Sequence, residues 1–196
     1  IQGRIEHMDS LGNKDVIQSG ESQWMTAGGG ILHQEMPMET DRMLGFQLWL
    51  NLPQKEKMAQ PAYLSITPDM IPVVPVGKAT VRVLSGKFGE ATGVIPRHIP
   101  ASILDVTLPK GEHIVLPTRQ EDTVFAFCIE GDAIIRAQLI TEKTAVLFGA
   151  GDSVSIEATP DRDLRFILFS AKALHEPVAW GGPNVMNTRA ELEHSY

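Results

Sequence analysis

The sequence predicts an all-β protein of two antiparallel β-barrel domains with few short helices. Twelve short runs have the length and apolar pattern of strands, and none sustains the helical period for long. The 17 glycines and 13 prolines supply turns between these runs. Many short strands separated by turns are typical of barrels and sandwiches. The expected strands are residues 4–8, 23–26, 31–35, 45–52, 80–85, 102–108, 112–116, 123–130, 133–138, 145–148, 153–157 and 164–170.

Helical character is confined to residues 53–58 and to the C-terminal stretch. In the latter, Asn187 or Thr188 is the expected N-cap. Glu191 stands where a capping box requires an acidic side chain, so a helix is predicted to begin there.

The sequence predicts one boundary between domains and a first strand that begins before Ile1. Residues alternate between apolar and polar from Ile1 onward, as in a strand already under way, so we expect further residues to precede this sequence. Four prolines between residues 61 and 75 interrupt both periodicities. The expected domains are therefore the remainder of a first barrel in residues 1–60, a proline-rich linker in 61–77 and a second barrel in 78–196.

Composition excludes several classes of protein. The 196 residues carry a net charge of −7, which does not attract nucleic-acid phosphates or anionic membranes. The longest purely apolar run, residues 124–129, is far shorter than the roughly 20 residues that span a bilayer. One cysteine, Cys128, fits a reducing compartment. We therefore expect no direct nucleic-acid or membrane partner, and a cytoplasmic protein, or also a nuclear one in a eukaryote.

One short motif in the first unit is predicted to bind a metal. Gly30 and His33 match the Gly-x2-His core of the second metal-binding motif of cupin barrels, and Glu35 follows two residues later. Residues i and i+2 of a strand share a face, so His33 and Glu35 are expected to face the barrel interior together. Gly3 fits the closing glycine of the first motif, which places its His-x-His pair upstream of Ile1. The alternative is an ordinary polar pair on a strand.

The second unit keeps the motif spacing without the ligands. We expect a metal-free barrel there, acting as a structural or docking partner of the first, because these side chains do not coordinate iron in that place. The ligand positions fall on Pro117, Arg119, Val124 and Val154.

Other notable side chains have simpler interpretations. Cys128 lies in an apolar run and is expected to be an inert packing residue. Five histidines lack ligand spacing among themselves and are expected at the surface or in ordinary hydrogen bonds: His7, His98, His113, His175 and His194. Three aromatic residues are expected in the core or in a pocket wall: Trp24, Phe46 and Trp49.

Several segments together resemble the pirin family. They are residues 7–13, 23–36, 46–52, 57–58 and 182–188, and the second of them reads Gln-Trp-Met-Thr-Ala-Gly-Gly-Gly-Ile-Leu-His-Gln-Glu-Met. The resemblance implies a bicupin of two jelly-roll barrels, with iron in the N-terminal barrel and a degenerate C-terminal one. The family's site uses two histidines of an H-P-H-R-G segment and a His-x-Glu pair, and the pair carries over to His33 and Glu35.

The resemblance also implies two functions. One is a quercetin 2,3-dioxygenase-like enzyme that acts on a flavonol with Fe(II), or with another divalent transition metal. Glu35 would then be both a ligand and the group that takes the substrate proton. The other is a non-enzymatic, redox-sensitive module that docks on a protein partner, either a transcription factor or a metabolic enzyme.

Overall fold

The computed structural model describes residues 2–195, and within them antiparallel strands predominate beside one short α-helix. The chain divides into two compact units. The first unit contains the residues up to Pro68 together with those from Leu174 onward, and the second unit is Asp69–Ala173. No helix within residues 2–195 is long and apolar enough to cross a membrane.

The elements follow one another in this order. They are β1 (Ile5–Asp9), β2 (Lys14–Ile17), β3 (Ser22–Thr26), β4 (His33–Pro37), β5 (Ala62–Ile66), β6 (Val73–Val76), β7 (Ala79–Ser85), β8 (Lys87–Phe88), β9 (Ala91–Thr92), β10 (Ala101–Leu108), β11 (His113–Pro117), β12 (Asp122–Glu130), β13 (Ala133–Ile135), β14 (Gln138–Ile140), β15 (Ala145–Leu147), β16 (Ser153–Ala158), β17 (Leu164–Lys172), β18 (Ala179–Gly181), β19 (Asn184–Met186) and α1 (Arg189–His194). Two 3-10 turns, Gln54–Glu56 and Pro68–Met70, complete the list.

The first unit contains three small sheets, with strand orders β2-β1-β4, β3-β5 and β18-β19. Ile17 and Ile66 are buried, but several large apolar side chains of this unit face solvent. Trp49 and Trp180 are 56% and 71% exposed, and their rings meet edge to face at 6.5 Å.

The second unit has a larger apolar core. A six-stranded sheet, β15-β12-β17-β10-β7-β6, and a four-stranded sheet, β11-β16-β13-β14, both contribute to it. Alternate residues are buried along several of these strands, such as Val81 and Val83 of β7 and Val154 and Ile156 of β16. This period of two is the pattern from which the strands were predicted.

The structure corrects the expected strand at residues 45–52. This segment alternates like a strand, yet it is irregular, and among the described residues no strand pairs with it. Only Leu44, just before it, makes an isolated bridge to Gln2. Alternation alone does not make a strand, because the backbone groups need a neighbouring chain as a hydrogen-bond partner.

Several expected boundaries differ in detail. The expected strand 133–138 is a hairpin of β13 and β14, since Arg136 and Ala137 adopt positive φ angles of 49° and 61° in its turn. The expected helical segment 53–58 is only the 3-10 turn Gln54–Glu56. The proline-rich segment 61–77 contains β5 and β6, and Pro75 is tolerated because β6 is an edge strand.

The C-terminal helix is confirmed. The Thr188 hydroxyl accepts a hydrogen bond from the Glu191 amide, and the Glu191 carboxylate accepts one from the Thr188 amide. The sequence-based division placed residues 78–196 in the second barrel, whereas the residues from Leu174 onward group with the first unit. One such contact runs from the Gln54 amide to the Glu176 carboxylate, at 2.7 Å.

Candidate metal centre

Two paired strands bring three potential metal ligands together. Strands β1 and β4 are antiparallel, with His7 opposite Glu35 and Asp9 opposite His33. Directly opposed residues of such a pair, and residues two apart in one strand, share a face of the sheet. As a result, one potential ligand atom from each of His7, His33 and Glu35 lies within 4.8 Å of the other two.

The two residues that the sequence predicted as ligands lie on this face, in β4. Nδ1 of His33 lies 3.9 Å from Oε1 of Glu35, and the two side chains are 30% and 27% exposed. A ligand can therefore reach them from solvent. Their role as metal ligands stays a prediction.

A glycine loop positions the start of β4. Gly28 has a φ of +53°, and a Cβ there would lie 1.9 Å from the carbonyl oxygen of Ala59. The Gly29 amide donates to the same oxygen at 2.9 Å. Only glycine permits this approach, so the loop before His33 is held against residue 59.

A neighbouring strand orients Glu35. The side-chain amide of Gln23, in β3, donates a hydrogen bond to Oε1 of Glu35. The Gln23 side-chain carbonyl oxygen is buried and has no hydrogen-bond partner among the described residues. The hydrogen bond from the amide fixes the position of the Glu35 carboxylate, whose Oε1 lies 3.9 Å from Nδ1 of His33.

His7 is the completely buried member of the cluster. Its Nε2 lies 3.1 Å from Oδ2 of Asp9, and its ring stacks on Tyr63 with centroids 4.2 Å apart. The Tyr63 hydroxyl donates to Asp15, which lies opposite His7 in β2. Burial and the Asp15 carboxylate raise the pKa of Tyr63, so this phenol remains a donor. Nδ1 of His7 is buried without a hydrogen-bond partner in the described part of the chain.

The Asp9 carboxylate accepts hydrogen bonds from several neighbouring groups. It accepts hydrogen bonds from the backbone amides of Leu11 and Asn13, from the Asn13 side-chain amide and from His7. Burial alone would raise the pKa of Asp9, but these hydrogen bonds outweigh it and lower the pKa to about 2. Asp9 is therefore an anion next to His7 at neutral pH.

Sequence reasoning missed His7 as a site residue. His7 does make a hydrogen bond, as expected, but it is buried beside His33 and Glu35 rather than on the surface. A signal was present, because His7-x-Asp9 has the same two-residue spacing as His33-x-Glu35. What spacing could not show is the pairing of β1 with β4, which places His7 opposite Glu35, 28 positions later in the chain.

The remaining candidate residues are not members of this cluster. Val124 and Val154 are buried in the apolar core of the second unit, whose freedom from metal stays a prediction. Cys128 is buried, and burial raises the pKa of its thiol to about 11, which makes it unreactive. Phe46 and Trp49 were expected in the core or a pocket wall, but they are 45% and 56% exposed.

Comparison with known families identifies the family of this chain. The model of the Pirin family matches residues 1–50, and the model of the Pirin C-terminal cupin domain matches residues 103–196. Pirin-1 of Arabidopsis thaliana is 37% identical over 201 residues, covering 100% of this chain and 70% of that protein. The chain belongs to the pirin family. The resemblance inferred from sequence is thus confirmed, and with it the all-β bicupin class.

Two other similar proteins extend the comparison of this pirin-family chain. A pirin-like protein of Caulobacter vibrioides is 38% identical over 200 residues, covering 100% of this chain and 72% of that protein. The crystal structure of quercetin 2,3-dioxygenase from Acinetobacter baumannii has a TM-score of 0.88 and 30% sequence identity. That likeness covers 99% of this chain and 70% of the other.

Proposed function

We propose that this chain binds a divalent transition metal through His33 and Glu35 and acts as a quercetin 2,3-dioxygenase-type enzyme on flavonols. The observation that carries the proposal is the convergence of imidazole and carboxylate donors on one face of the β1–β4 pair. The structural similarity to quercetin 2,3-dioxygenase supports the choice of reaction.

The residues present fit a divalent metal. Bonds from imidazole nitrogen or carboxylate oxygen to such an ion are about 2.0–2.2 Å long, so two donors on one ion lie no more than about 4.4 Å apart. The 3.9 Å between His33 and Glu35 satisfies this limit. Nitrogen and oxygen donors suit Fe(II), and also other divalent transition metals. When bound, such a metal supplies a Lewis acid with open positions suited to dioxygen chemistry.

In this proposal, two side chains, Glu35 and Gln23, serve the transfer of the substrate's proton. Glu35 accepts the proton of the flavonol hydroxyl as the substrate binds, and Gln23 holds the carboxylate in place for this transfer. His33 and Glu35 are partly exposed, which allows the substrate to reach them. In this proposal Glu35 acts both as a ligand and as a base.

The test is flavonol turnover by the Fe(II)-loaded chain. We expect loss of quercetin absorbance matched by dioxygen uptake, and a Glu35→Gln variant with at least about 100-fold lower activity. Glu39→Gln is the matched control, because Glu39 is an exposed carboxylate four residues away. Metal-loaded protein without turnover would refute the enzymatic proposal.

A regulatory module is the second candidate. The exposed Trp49 and Trp180, which contact each other edge to face, favour it because large apolar side chains at a surface are typical of protein-binding sites. In this case the metal-loaded chain binds a protein partner, a transcription factor or a metabolic enzyme, and leaves quercetin intact. A Trp49→Ser/Trp180→Ser double variant would separate the two functions, since it should lose partner binding and retain any flavonol turnover.

A further inference from the structure

Lys57 is a buried lysine that the proposed chemistry does not use. The residue is 7% exposed, and its Nζ donates a hydrogen bond to Oδ1 of Asn51 at 2.6 Å. Lysine is almost never buried without partners, because its ammonium group loses hydration on burial. A methionine would fill much of the same space without this cost. The burial of a charge here therefore calls for a role beyond packing.

The carboxylates that accompany Lys57 come from the C-terminal segment, residues 174–195, which follows the second unit in the chain but groups with the first. Burial lowers the pKa of Lys57, and the negative charges of Glu176 and Glu191 oppose this shift. Glu176 also accepts a hydrogen bond at 2.7 Å from the backbone amide of Gln54, three residues before Lys57. The C-terminal segment is thus joined to the turn that contains Lys57.

Hydrogen bonds fix both carboxylates within the C-terminal segment. Oε2 of Glu191 accepts from the backbone amides of Asn187 and Thr188, at 3.1 and 2.8 Å. Asn187 is buried, and its side-chain amide donates to the carbonyl of Pro177 at 2.9 Å. Pro177 directly follows Glu176, so the two carboxylates belong to one hydrogen-bonded segment. The counter-charges of the buried ammonium are therefore held in place.

The turn that contains Lys57 also supports the glycine loop before His33. Residues 54–59 form a compact turn, in which the amides of Lys57 and Ala59 donate to carbonyls three residues earlier, at 3.2 and 3.0 Å. The Ala59 carbonyl in turn accepts the hydrogen bond of the Gly29 amide at 2.9 Å. A displacement of this turn would therefore move the loop that leads into β4.

We infer that Lys57 is a positioning residue for the metal site, because its ammonium and the two carboxylates of the C-terminal segment fix the turn on which the loop before His33 rests. The inference rests on the proposed function, since it assumes that His33 is a ligand. Lys57 acts through Ala59 and the glycine loop and contacts neither metal nor substrate. The C-terminal segment thereby contributes to the geometry of a site formed near the other end of the chain.

The first experiment measures amide hydrogen exchange of the metal-free chain by NMR. We expect Lys57→Met to accelerate exchange of the Gly29 amide by about 3–30-fold, because the carbonyl that accepts its hydrogen bond is no longer fixed. The amides that pair β1 with β2 should exchange as in the wild type. Lys55→Met is the matched control, since Lys55 is an exposed lysine of the same turn, and it should leave the Gly29 amide unchanged. Equal acceleration of all these amides would show a general stabilising role and overturn the inference.

The second experiment measures Co(II) affinity by calorimetry, and the ligand field by visible absorption of the bound metal. Lys57→Met should weaken binding by about 3–30-fold and shift the absorption bands, because the His33 imidazole is less well placed. A Glu176→Gln/Glu191→Gln double variant should act in the same way, and it keeps the capping box, in which glutamine can replace glutamate. Glu193→Gln, an exposed residue of the same helix, is its control.

The combined triple variant tests whether the three side chains act as one unit. It should bind Co(II) about as weakly as Lys57→Met alone, since groups that act together are not additive. Because the two glutamates are only partly buried, their double variant tests the inference even if Lys57→Met does not fold.

The outcomes separate this inference from the proposed function. A wild-type chain that binds no Co(II) would overturn the proposed metal site and this inference with it. Wild-type affinity and spectrum in folded Lys57→Met, or in the double variant, would overturn the inference alone. Additive losses in the triple variant would also overturn it, because the ammonium and the carboxylates would then act independently.

Discussion

We predict that replacing Asp105 by Asn destabilises the second unit by about 3 kcal/mol. Asp105 is buried in β10, where it accepts hydrogen bonds from Nε and Nη2 of Arg165 at 3.0 and 2.8 Å, and from Nη1 of Arg82 at 2.9 Å. Removing one partner from a buried ion pair typically costs about 3–5 kcal/mol. The arginine side chains are 26% and 28% exposed, so water solvates them in part and the lower value applies.

Hydrogen exchange is the suitable assay, because the three tryptophans lie at positions 24, 49 and 180, outside the second unit. A loss of about 3 kcal/mol should accelerate the slowest amides of β10 and β17 by about 100-fold. Glu112→Gln is the control, since its ion pair with Lys78 lies at the surface and is worth less than about 1 kcal/mol. An acceleration in Asp105→Asn no greater than in this control would refute the reasoning.

The Asp105 carboxylate also makes the stability of the second unit depend on pH. Burial alone would raise the pKa of Asp105, but the hydrogen bonds and charges of Arg165 and Arg82 hold the pKa below its ordinary value of 3.8. The unfolded chain therefore takes up the proton at a higher pH than the folded one. The stabilisation is complete above pH 3.8 and is lost as the pH falls through the folded-state pKa. Asp105→Asn should remove this acid-side dependence.

Three further predictions concern the first unit. Gly28→Ala should weaken metal binding, because the new Cβ would collide with the Ala59 carbonyl and displace the loop before β4. Gly12→Ala is the control for backbone strain, because Gly12 also has a positive φ but a Cβ there would have no atom within 4 Å. Unchanged Co(II) affinity in Gly28→Ala would contradict this. His33→Ala should lose most of the bound iron, measured by elemental analysis, and iron content equal to the wild type would refute its role as a ligand. Thr188→Ala should destabilise α1 by about 1 kcal/mol, seen as faster amide exchange in the helix; unchanged exchange would show that the cap is dispensable.

Much of the fold followed from local sequence patterns. The alternation in β7 and β16 predicted strands with one buried face, because a strand's side chains alternate whatever it pairs with. The capping box at Thr188 and Glu191 is equally local, since both residues belong to one helical turn. For the same reason, the sequence placed His33 and Glu35 on one face of β4.

Pairing between distant segments decided which of the expected strands form and which side chains meet. Residues 45–52 alternate as well as any strand but pair with none among the described residues, while β6 forms despite Pro75 because it lies at a sheet edge. His7 joins His33 and Glu35 only through the register of β1 against β4. The local sequence pattern predicts which face of a strand a side chain lies on. Which other side chains lie beside it depends on contacts between residues far apart in the chain. The sequence by itself therefore predicted two of the three clustered donors, and only the folded chain added His7.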